Sequence, residues 1–153
     1  MHIARDGRVA RTGDEDRAVP DTPRIGREQL ADVARFRLAL RHFEHRTAQA
    51  VKRCGLTPQR YLLLLVVETT RERGGATVSG IARDLEMPQT TVTDLVARAV
   101  DTGLLDRTAG ADGRVSHIRV TAEGRRRLLD AVDALRAERS QLRRALVELT
   151  NLI

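Results

Sequence analysis

The sequence predicts a mainly α fold with a small β-hairpin wing: a winged helix-turn-helix with long helices at both ends. Three observations support this prediction. Apolar residues recur every three or four positions over most of the chain after residue 27. A short helical pattern, a tight turn and a second helical pattern occupy the middle of the chain. Two strand-like stretches follow directly, and a further long helical pattern ends the sequence.

The composition is that of a small aliphatic domain. Of the 153 residues, 41% are hydrophobic and only 2% are aromatic, so the core must consist of Leu, Val, Ile and Ala. No apolar run approaches the ~20 residues that a membrane helix needs, and no hydrophobic signal region begins the chain. We therefore expect a cytoplasmic protein without a membrane partner. The single Cys54 excludes an internal disulfide, and it is either an inert thiol or an oxidation sensor.

The sequence offers few parts for catalysis or metal binding. His42 and His45 lie three apart on a predicted helix, but no thiol or carboxylate stands at matching spacing, so solvated or capping histidines are favoured over a metal site. A nucleophile with its base, a Gly-rich phosphate loop and paired carboxylates are also lacking. We therefore expect no cofactor and no enzymatic activity.

The formal net charge of +6 invites a polyanionic partner, but the charge is unevenly distributed. Residues 1–28 are neutral overall, residues 29–78 carry +5, residues 79–120 carry −1 and residues 121–153 carry +2. Residues 1–26 show no periodicity and combine Arg, Asp and Gly with two prolines, which predicts a disordered arm. This arm either lies along DNA or is an unstructured extension.

Two helices are predicted in the first half of the chain. Glu28–Arg53 has apolar residues at helical spacing, and Gly55 follows as a stop signal. Thr57 then caps a second helix, Pro58–Arg73, whose proline stands in the first turn. Because Leu62–Val67 is apolar almost all round, we expect this helix to be buried on several sides.

The middle of the chain predicts the two helices of a helix-turn-helix. Thr77–Val78 is read as a short strand, and Ser79–Leu85 as a short helix capped by its own serine. Pro88–Thr102 forms the second helix, with Met87 as its N-cap and Gly103 as its end. Met87 has no side-chain oxygen, so the first N–H groups of this helix are left for another acceptor, such as a phosphate or water.

A hairpin and one long final helix complete the chain. Leu104–Arg107 and Val115–Val120 are strand-like, and Thr121 caps a helix without a proline. A heptad stripe runs along that helix, with one charged interruption: Leu128, Val132, Leu135, Arg139, Leu142, Leu146, Leu149 and Ile153. The stripe is either a surface for association with a second copy or a face that packs on the first helix.

The second helix of the helix-turn-helix carries two distinct faces. Val92, Leu95, Val96 and Ala99 fall on one side, and mostly short hydrogen-bonding side chains fall on the other. Such side chains let a helix lie deep in the major groove, where Gln can pair with adenine, Asp with cytosine and Thr with thymine. An ordinary polar surface is the alternative. The predicted base-reading residues are Gln89, Thr90, Thr91, Thr93, Asp94 and Arg98.

The hairpin is predicted to contribute further DNA contacts. Arg114 stands at the tip of a thin β-ribbon, where an arginine can enter a narrow minor groove. Asp112, two residues earlier, can orient it by a charge-assisted hydrogen bond. Arg107 lies at the base of the hairpin and is better placed for a phosphate.

The chain from about residue 28 onward resembles the MarR family of transcriptional regulators. The resemblance rests on Gly55–Gln59, Ile81–Leu85, Thr91–Val96, Gly103–Leu105, Asp112–Arg114 and Val120–Gly124. The Asp-x-Arg wing and the exit of the second strand are its more specific parts. Family members commonly have Ser where Pro88 stands and often a basic residue where Asp94 stands. Many also carry a further helix after the last one predicted here.

The resemblance implies a dimeric winged helix that binds double-stranded DNA and releases it when a small aromatic or anionic effector binds. On this basis residues 27–56 and 121–153 are dimerisation helices, residues 57–120 form the DNA-binding lobe, and a homodimeric repressor recognises a near-palindromic operator. The basic first half suggests an anion pocket lined by Arg37, Arg41, Arg46 and Arg60, although solvated arginines explain the charge equally well. A winged-helix module that binds only proteins, with weak or lost DNA binding, is the alternative function.

Overall fold

The computed structural model describes residues 25–70, 75–110, 113 and 115–150. Within these residues the chain forms six helices and a two-stranded antiparallel sheet, which confirms the predicted fold class. Most of the predicted N-terminal arm, the end of the second predicted helix, Asp112, Arg114 and Ile153 lie outside the described residues. In chain order the elements are α1 Arg27–Arg53, α2 Pro58–Thr70, α3 Val78–Asp84, α4 Gln89–Asp101, β1 Leu105–Ala109, β2 Ser116–Val120, α5 Ala122–Ala134 and α6 Arg136–Thr150.

The connection between α1 and α2 follows the predicted stop and cap signals. Gly55 adopts a positive φ of 71°, which ends α1 and turns the chain. The Leu56 N–H donates back to the Val51 carbonyl at 2.9 Å. Thr57 Oγ1 accepts a hydrogen bond from the Arg60 N–H at 3.2 Å, so the predicted cap of α2 is confirmed.

The start of α3 differs from the prediction. Thr77 is the N-cap, and its Oγ1 accepts from the Gly80 N–H at 3.2 Å, so Ser79 lies inside the first turn. The expected strand at Thr77–Val78 is also wrong, because Val78 is already helical. The only bridge to the hairpin in this described stretch is made by Ala76, which pairs with Ile118. A threonine directly before a helix satisfies one of the first N–H groups of that helix, which lack an intrahelical partner.

The N-cap of α4 is Pro88, so the prediction of Met87 is wrong by one residue. Pro88 has φ −57° and ψ 140°, and its carbonyl accepts the first intrahelical bond from Val92 at 3.1 Å. The fixed φ of proline suits an extended residue ahead of a helix as well as the first helical position. No side chain caps the N-terminus of α4, which agrees with the prediction that a residue without a side-chain oxygen precedes this helix.

The hairpin is confirmed, with both strands displaced slightly from the predicted bounds. Leu105 pairs with Val120 and Ala109 with Ser116 in an antiparallel register. Leu105 and Ile118 are buried, whereas the rest of β1 is exposed. The hairpin therefore packs on the core only through its base, and its outer half projects from the molecule.

The predicted single final helix is wrong, because the chain breaks at Leu135 into α5 and α6. Leu135 is only 1% exposed, and its side chain belongs to the core. The Arg139 guanidinium donates to the Val132 carbonyl across the break. The break gives the chain one helix more than the sequence predicted.

The core lies between α2 and the elements around it. Leu63, Leu64 and Val67 of α2 are at most 1% exposed, whereas Leu62 on the same helix is 51% exposed, so α2 is buried on most but not all sides. The α5 helix packs against α2, and α6 packs against α1. Full burial of one Leu or Val side chain contributes roughly 1.5–3 kcal/mol. No helix of the described residues is long and apolar enough to cross a membrane.

The heptad stripe divides at the helix break. Leu128 and Leu135 are buried within their own chain. Beyond the break Leu142 is half-buried and Leu146 is 49% exposed. Packing within the subunit therefore accounts for the first half of the stripe, and only the second half is open to association.

Candidate nucleic-acid interface

The α4 helix is fixed by an apolar face that is buried at three of its four positions. Val92, Val96 and Ala99 are each 0% exposed, and Leu95 is half-buried. These are the inward-facing positions that the helical wheel predicts. Because close-packed side chains in a core hold one position, the opposite face of α4 is presented in a defined orientation.

That opposite face carries the predicted base-reading residues. All six side chains are exposed: Gln89, Thr90, Thr91, Thr93, Asp94 and Arg98. Of these side chains only Thr93 makes a hydrogen bond within the described residues, donating its Oγ1 proton to the Gln89 carbonyl at 2.8 Å. Thr93 is therefore held in place by its hydroxyl, and the other five keep their polar atoms for an external partner.

Two opposite charges lie one turn apart on this face without pairing. Asp94 and Arg98 occupy positions i and i+4, a spacing that commonly gives a salt bridge. Neither belongs to a salt bridge within the described part of the chain. Both groups are thus free to meet a base edge or a phosphate.

A shallow groove of about 210 Å³ lies in front of α4, and one wall of it comes from α2. Gln59 provides that wall, and sequence reasoning did not include it among the site residues. The available signal was the Thr57 cap, which places Gln59 in the exposed first turn of α2. Its amide can donate and accept beside the α4 face. The groove is lined by Gln59, Met87, Thr90, Thr91, Asp94, Leu95 and Arg98.

The N-terminus of α4 adds a positive field to the same surface. Its first N–H groups have no side-chain cap, and the helix dipole gives this end a partial positive charge that favours anions. Arg107 is exposed on β1, away from α4 in sequence but in the same lobe. Asp112 and Arg114 of the wing lie outside the described residues, so their role stays a prediction.

The four arginines of the predicted anion pocket do not converge. Arg37 and Arg41 line a groove of about 240 Å³ on α1 that also contains Glu44. Arg46 points to α6 instead, where its Nε lies 3.3 Å from Glu138 Oε1. Arg60 lies on α2 and lines neither this groove nor the apolar pocket beside it.

An apolar pocket of about 280 Å³ lies between α1 and α2. The Thr47 Oγ1 atom is buried there and has no hydrogen-bond partner within the described residues. Burial raises the pKa of the Tyr61 hydroxyl, and the nearby Arg139 guanidinium offsets part of that rise. The walls are Leu40, Phe43, Glu44, Thr47, Pro58, Tyr61 and Leu62.

The fold and this exposed helix define a winged helix-turn-helix protein. Residues 55–115 match the MarR family model, whereas no curated protein matches the chain. The predicted resemblance to the MarR family is thereby confirmed, by sequence over this segment and by fold over most of the chain.

Three solved structures illustrate the likeness in fold. The transcriptional regulator MOSR of M. tuberculosis, in complex with DNA, is 28% identical with a TM-score of 0.57, covering 76% of this chain and 88% of that one. A mutant of S. aureus MepR bound to an oligodeoxyribonucleotide is 19% identical with a TM-score of 0.61, covering 77% and 95%. CouR of Rhodococcus jostii bound to p-coumaroyl-CoA is 24% identical with a TM-score of 0.54, covering 63% and 67%.

Proposed function

We propose that the chain is a homodimeric, sequence-specific DNA-binding regulator, acting as a repressor that a small effector releases from a near-palindromic operator. One observation carries the DNA-binding part. The α4 helix is fixed by a fully buried face, and its opposite face exposes hydrogen-bonding side chains that have almost no partner within the described protein. The MOSR and MepR structures, which contain DNA, support this proposal.

The residue types on α4 indicate what it reads. Gln89 can bond the N6 and N7 edge of adenine, the Thr90 and Thr91 methyl groups suit thymine, and Asp94 can accept from cytosine N4. Arg98 and Arg107 form no salt bridge with any other described residue and can bind guanine or phosphate. In a twofold dimer two such helices lie in successive major grooves about 34 Å apart, which calls for an operator of two inverted half-sites.

The exposed apolar residues of the two terminal helices support the dimer. Leu30, Val33 and Leu38 on α1 and Leu146 and Val147 on α6 are all between 47% and 66% exposed. Apolar surface left in water forgoes about 25 cal/mol per Å², so several large apolar side chains exposed on the same two helices favour association through them. A second copy of the same helices would cover it.

The effector site that the geometry favours is the apolar pocket between α1 and α2, not the four predicted arginines together. The pocket offers apolar walls, and the unpartnered Thr47 hydroxyl oxygen is buried behind them within the described residues. Such walls suit a flat aromatic ligand. Arg37 and Arg41 lie in the adjoining groove, where they could receive an anionic substituent. The CouR structure, which contains p-coumaroyl-CoA, supports a ligand in this fold.

One observation favours the alternative, a module that binds only proteins. Residues 79–120 carry a net charge of −1, and Asp94 and Asp101 are exposed on α4 without a salt bridge within the described residues. Because acidic side chains and DNA phosphates are both negative and repel each other, a lobe with this net charge binds phosphates less strongly than a basic lobe does.

Selection from a random DNA pool, followed by affinity measurements on the selected site, separates the two functions. We expect enrichment of an inverted repeat, whereas recovery of unenriched DNA would favour the protein-binding module. Asp94→Ala should relax base preference more than it lowers affinity, and Asp101→Ala, the same charge change two turns further on, should not. If Asp94→Ala and Asp101→Ala strengthen binding to all sequences equally, both residues are only repulsive charges.

Thermal unfolding with added salicylate, and with its uncharged amide as a comparison, tests the effector pocket. Leu62→Asp, which places a charge on an exposed wall of the apolar pocket, should abolish the stabilisation by either compound if that pocket holds the ring. Arg41→Gln should abolish only the preference for the anion. No stabilisation of the wild type by either compound at several millimolar would contradict this ligand class.

A further inference from the structure

Arg139 is the charged interruption of the heptad stripe, and the structure gives it a specific position. It lies in the first turn of α6, half-buried, immediately after the break at Leu135. Its Nη1 donates to the Val132 carbonyl in the last turn of α5. A carbonyl at a helix C-terminus lacks its partner N–H, and an arginine is one of the groups that can satisfy it.

Arg139 and its neighbours link the break between α5 and α6 to the winged-helix lobe, residues 57–120, and to the α1–α6 helix pair. Burial raises the pKa of the Tyr61 hydroxyl on α2, and the positive charge of Arg139 offsets part of that rise, so the guanidinium acts on a residue of the lobe. The preceding residue, Glu138, accepts a hydrogen bond from Arg46 on α1 at 3.3 Å, and its side chain is only 14% exposed. Two consecutive residues of α6 thus hold it to α5 and to α1. Leu135, which lies between α5 and α6, is buried and anchors the turn in the core.

We infer that Arg139 is a positioning residue that sets the angle between the winged-helix lobe and the α1–α6 helix pair, and thereby the spacing of the two half-sites that the dimer can occupy. The inference rests on the proposed dimeric operator binding. Residues 122–150 contain only one glycine, in the first turn of α5, and no proline, so their sequence alone would permit one continuous helix. Without the guanidinium, the Val132 carbonyl most readily gains a backbone hydrogen bond when α5 and α6 form one continuous helix. The direction of α6 relative to the lobe then changes.

The first test measures the angle without DNA. In a Cys54→Ser background, spin labels attached through Asp101→Cys on α4 and Arg144→Cys on α6 report the distance from lobe to helix pair by pulsed electron resonance. Dilution with unlabelled protein leaves only distances within one chain. Arg139→Met, which keeps the length of the side chain and removes the donor, should shift or broaden the distribution. Arg143→Met, the same change at an exposed position of α6, should leave it unchanged.

The second test measures spacing on operators whose half-sites are moved one or two base pairs closer or farther apart. Arg139→Met should bind the wild-type spacing about 100-fold more weakly, which is the lower range of what simultaneous engagement of two sites contributes. It should keep its affinity for a single half-site and favour a different spacing. Arg139→Lys, which keeps the charge but not the planar fork of donors, should lie between the two.

A wild-type distance distribution together with a wild-type spacing preference in Arg139→Met would overturn the inference. A shifted spin-label distance together with an unchanged preference for half-site spacing would overturn the part of the inference that concerns the operator. If Arg139→Met does not unfold cooperatively, Arg139→Lys takes its place in both measurements. A wild type that selects no DNA sequence would refute the proposed function, while the distance measurement would still decide the role of Arg139.

Discussion

The winged-helix lobe, residues 57–120, and the terminal pair, α1 and α6, are stabilised in different ways. The lobe contains most of the fully buried side chains, including Leu63, Leu64, Ile81 and Leu104. The α6 helix contains no buried residue, and α1 contains only Ala50 and Val51 in its last two turns. The lobe therefore supplies most of the core, which α5 completes through Leu128 and Leu135, whereas most of the terminal pair has only one layer of neighbours.

In the proposed dimer, this difference indicates which part of the chain gains most from the second copy. A helix with an exposed apolar stripe gains most of its stability from tertiary packing, and isolated helices are marginal in water. Leu30 and Leu38 of α1 are 57% and 66% exposed in the single chain. We therefore expect the lobe to persist as a folded unit under conditions in which the terminal pair loses its partner and frays.

The largest effect is expected from changing Leu142 and Leu146 together to Asp. Both lie on the open half of the heptad stripe, and two acids per chain facing their copies across an apolar interface cannot be desolvated at tolerable cost. Light scattering should show a monomer, and operator binding should be lost with the dimer. Leu129→Asp, at an exposed leucine of α5, is the matched control. A dimeric double mutant would show that other surfaces hold the two chains together.

The second prediction concerns the packing of α5 against the base of the wing, not the terminal pair. Gly124 lies in the first turn of α5 against the base of the wing, and a Cβ there would overlap the Leu104 carbonyl oxygen. Because that obstacle is backbone, Gly124→Ala should destabilise by the upper part of the ~1–3 kcal/mol that overpacking costs, or more.

The measurement is urea unfolding, compared with Gly103→Ala. Gly103 has a φ of +74° but open space around its Cβ position, so its alanine variant reports backbone strain alone, roughly 1 kcal/mol. Equal costs for the two variants would show that α5 can move away from the wing.

The third prediction concerns Glu123, in the first turn of α5. Hydrogen bonds from Arg126 and Arg127 lower the pKa of Glu123 from 4.5 to about 2, and Arg127 also donates to the Gly55 carbonyl at 3.2 Å. A depressed carboxyl pKa contributes stability that is present above pH 4.5 and is lost as the pH falls towards 2. The melting temperatures of wild type and Glu123→Gln should therefore differ at pH 6 and converge near pH 2. A difference that persists at pH 2 would have to come from something other than the carboxylate charge.

The smallest effect is expected at Glu86, in the turn between α3 and α4. It is the one non-glycine residue with a positive φ in the described chain, at 53°. Left-handed backbone costs most residues about 1–2 kcal/mol, and glycine recovers part of this while losing more entropy on folding. Glu86→Gly should raise the free energy of unfolding of the lobe by about 0.5 kcal/mol. A decrease would mean that the Glu86 side chain makes a stabilising contact.

Sequence periodicity predicted the fold class because each element of the lobe carries its own local signals. The inward face of α4, the Thr57 cap, the Thr121 cap and the hairpin all depend on residues within one turn or one strand pair of each other. Thr121 Oγ1, for example, accepts from the Gly124 N–H at 3.0 Å. Such contacts are readable because both partners lie close together in the chain.

Errors arose where neighbouring signals compete or where distant residues decide. Thr77 and Ser79 are both good caps. Thr77, which directly follows the bridge from Ala76 to the hairpin, accepts the hydrogen bond from the Gly80 N–H, so the helix begins at Val78. The anion pocket, which rests on the charge of residues 29–78, stays a prediction. Arg46, however, pairs with Glu138, which lies 92 residues further along the chain. Sequence spacing carries no information about such a partner.

The sequence by itself determined the order of the elements, the outward face of α4 and the apolar character of both terminal helices, since these follow from short-range spacing and residue type. Only the tertiary structure decided where the last helix breaks and how the heptad stripe is shared between core and surface. The reason is that Leu135 is drawn into a core built mainly from residues 50–120, while Arg139 satisfies the carbonyl that the break exposes. A continuous helix satisfies the local preferences of residues 122–150 equally well, so packing against the rest of the chain makes the choice.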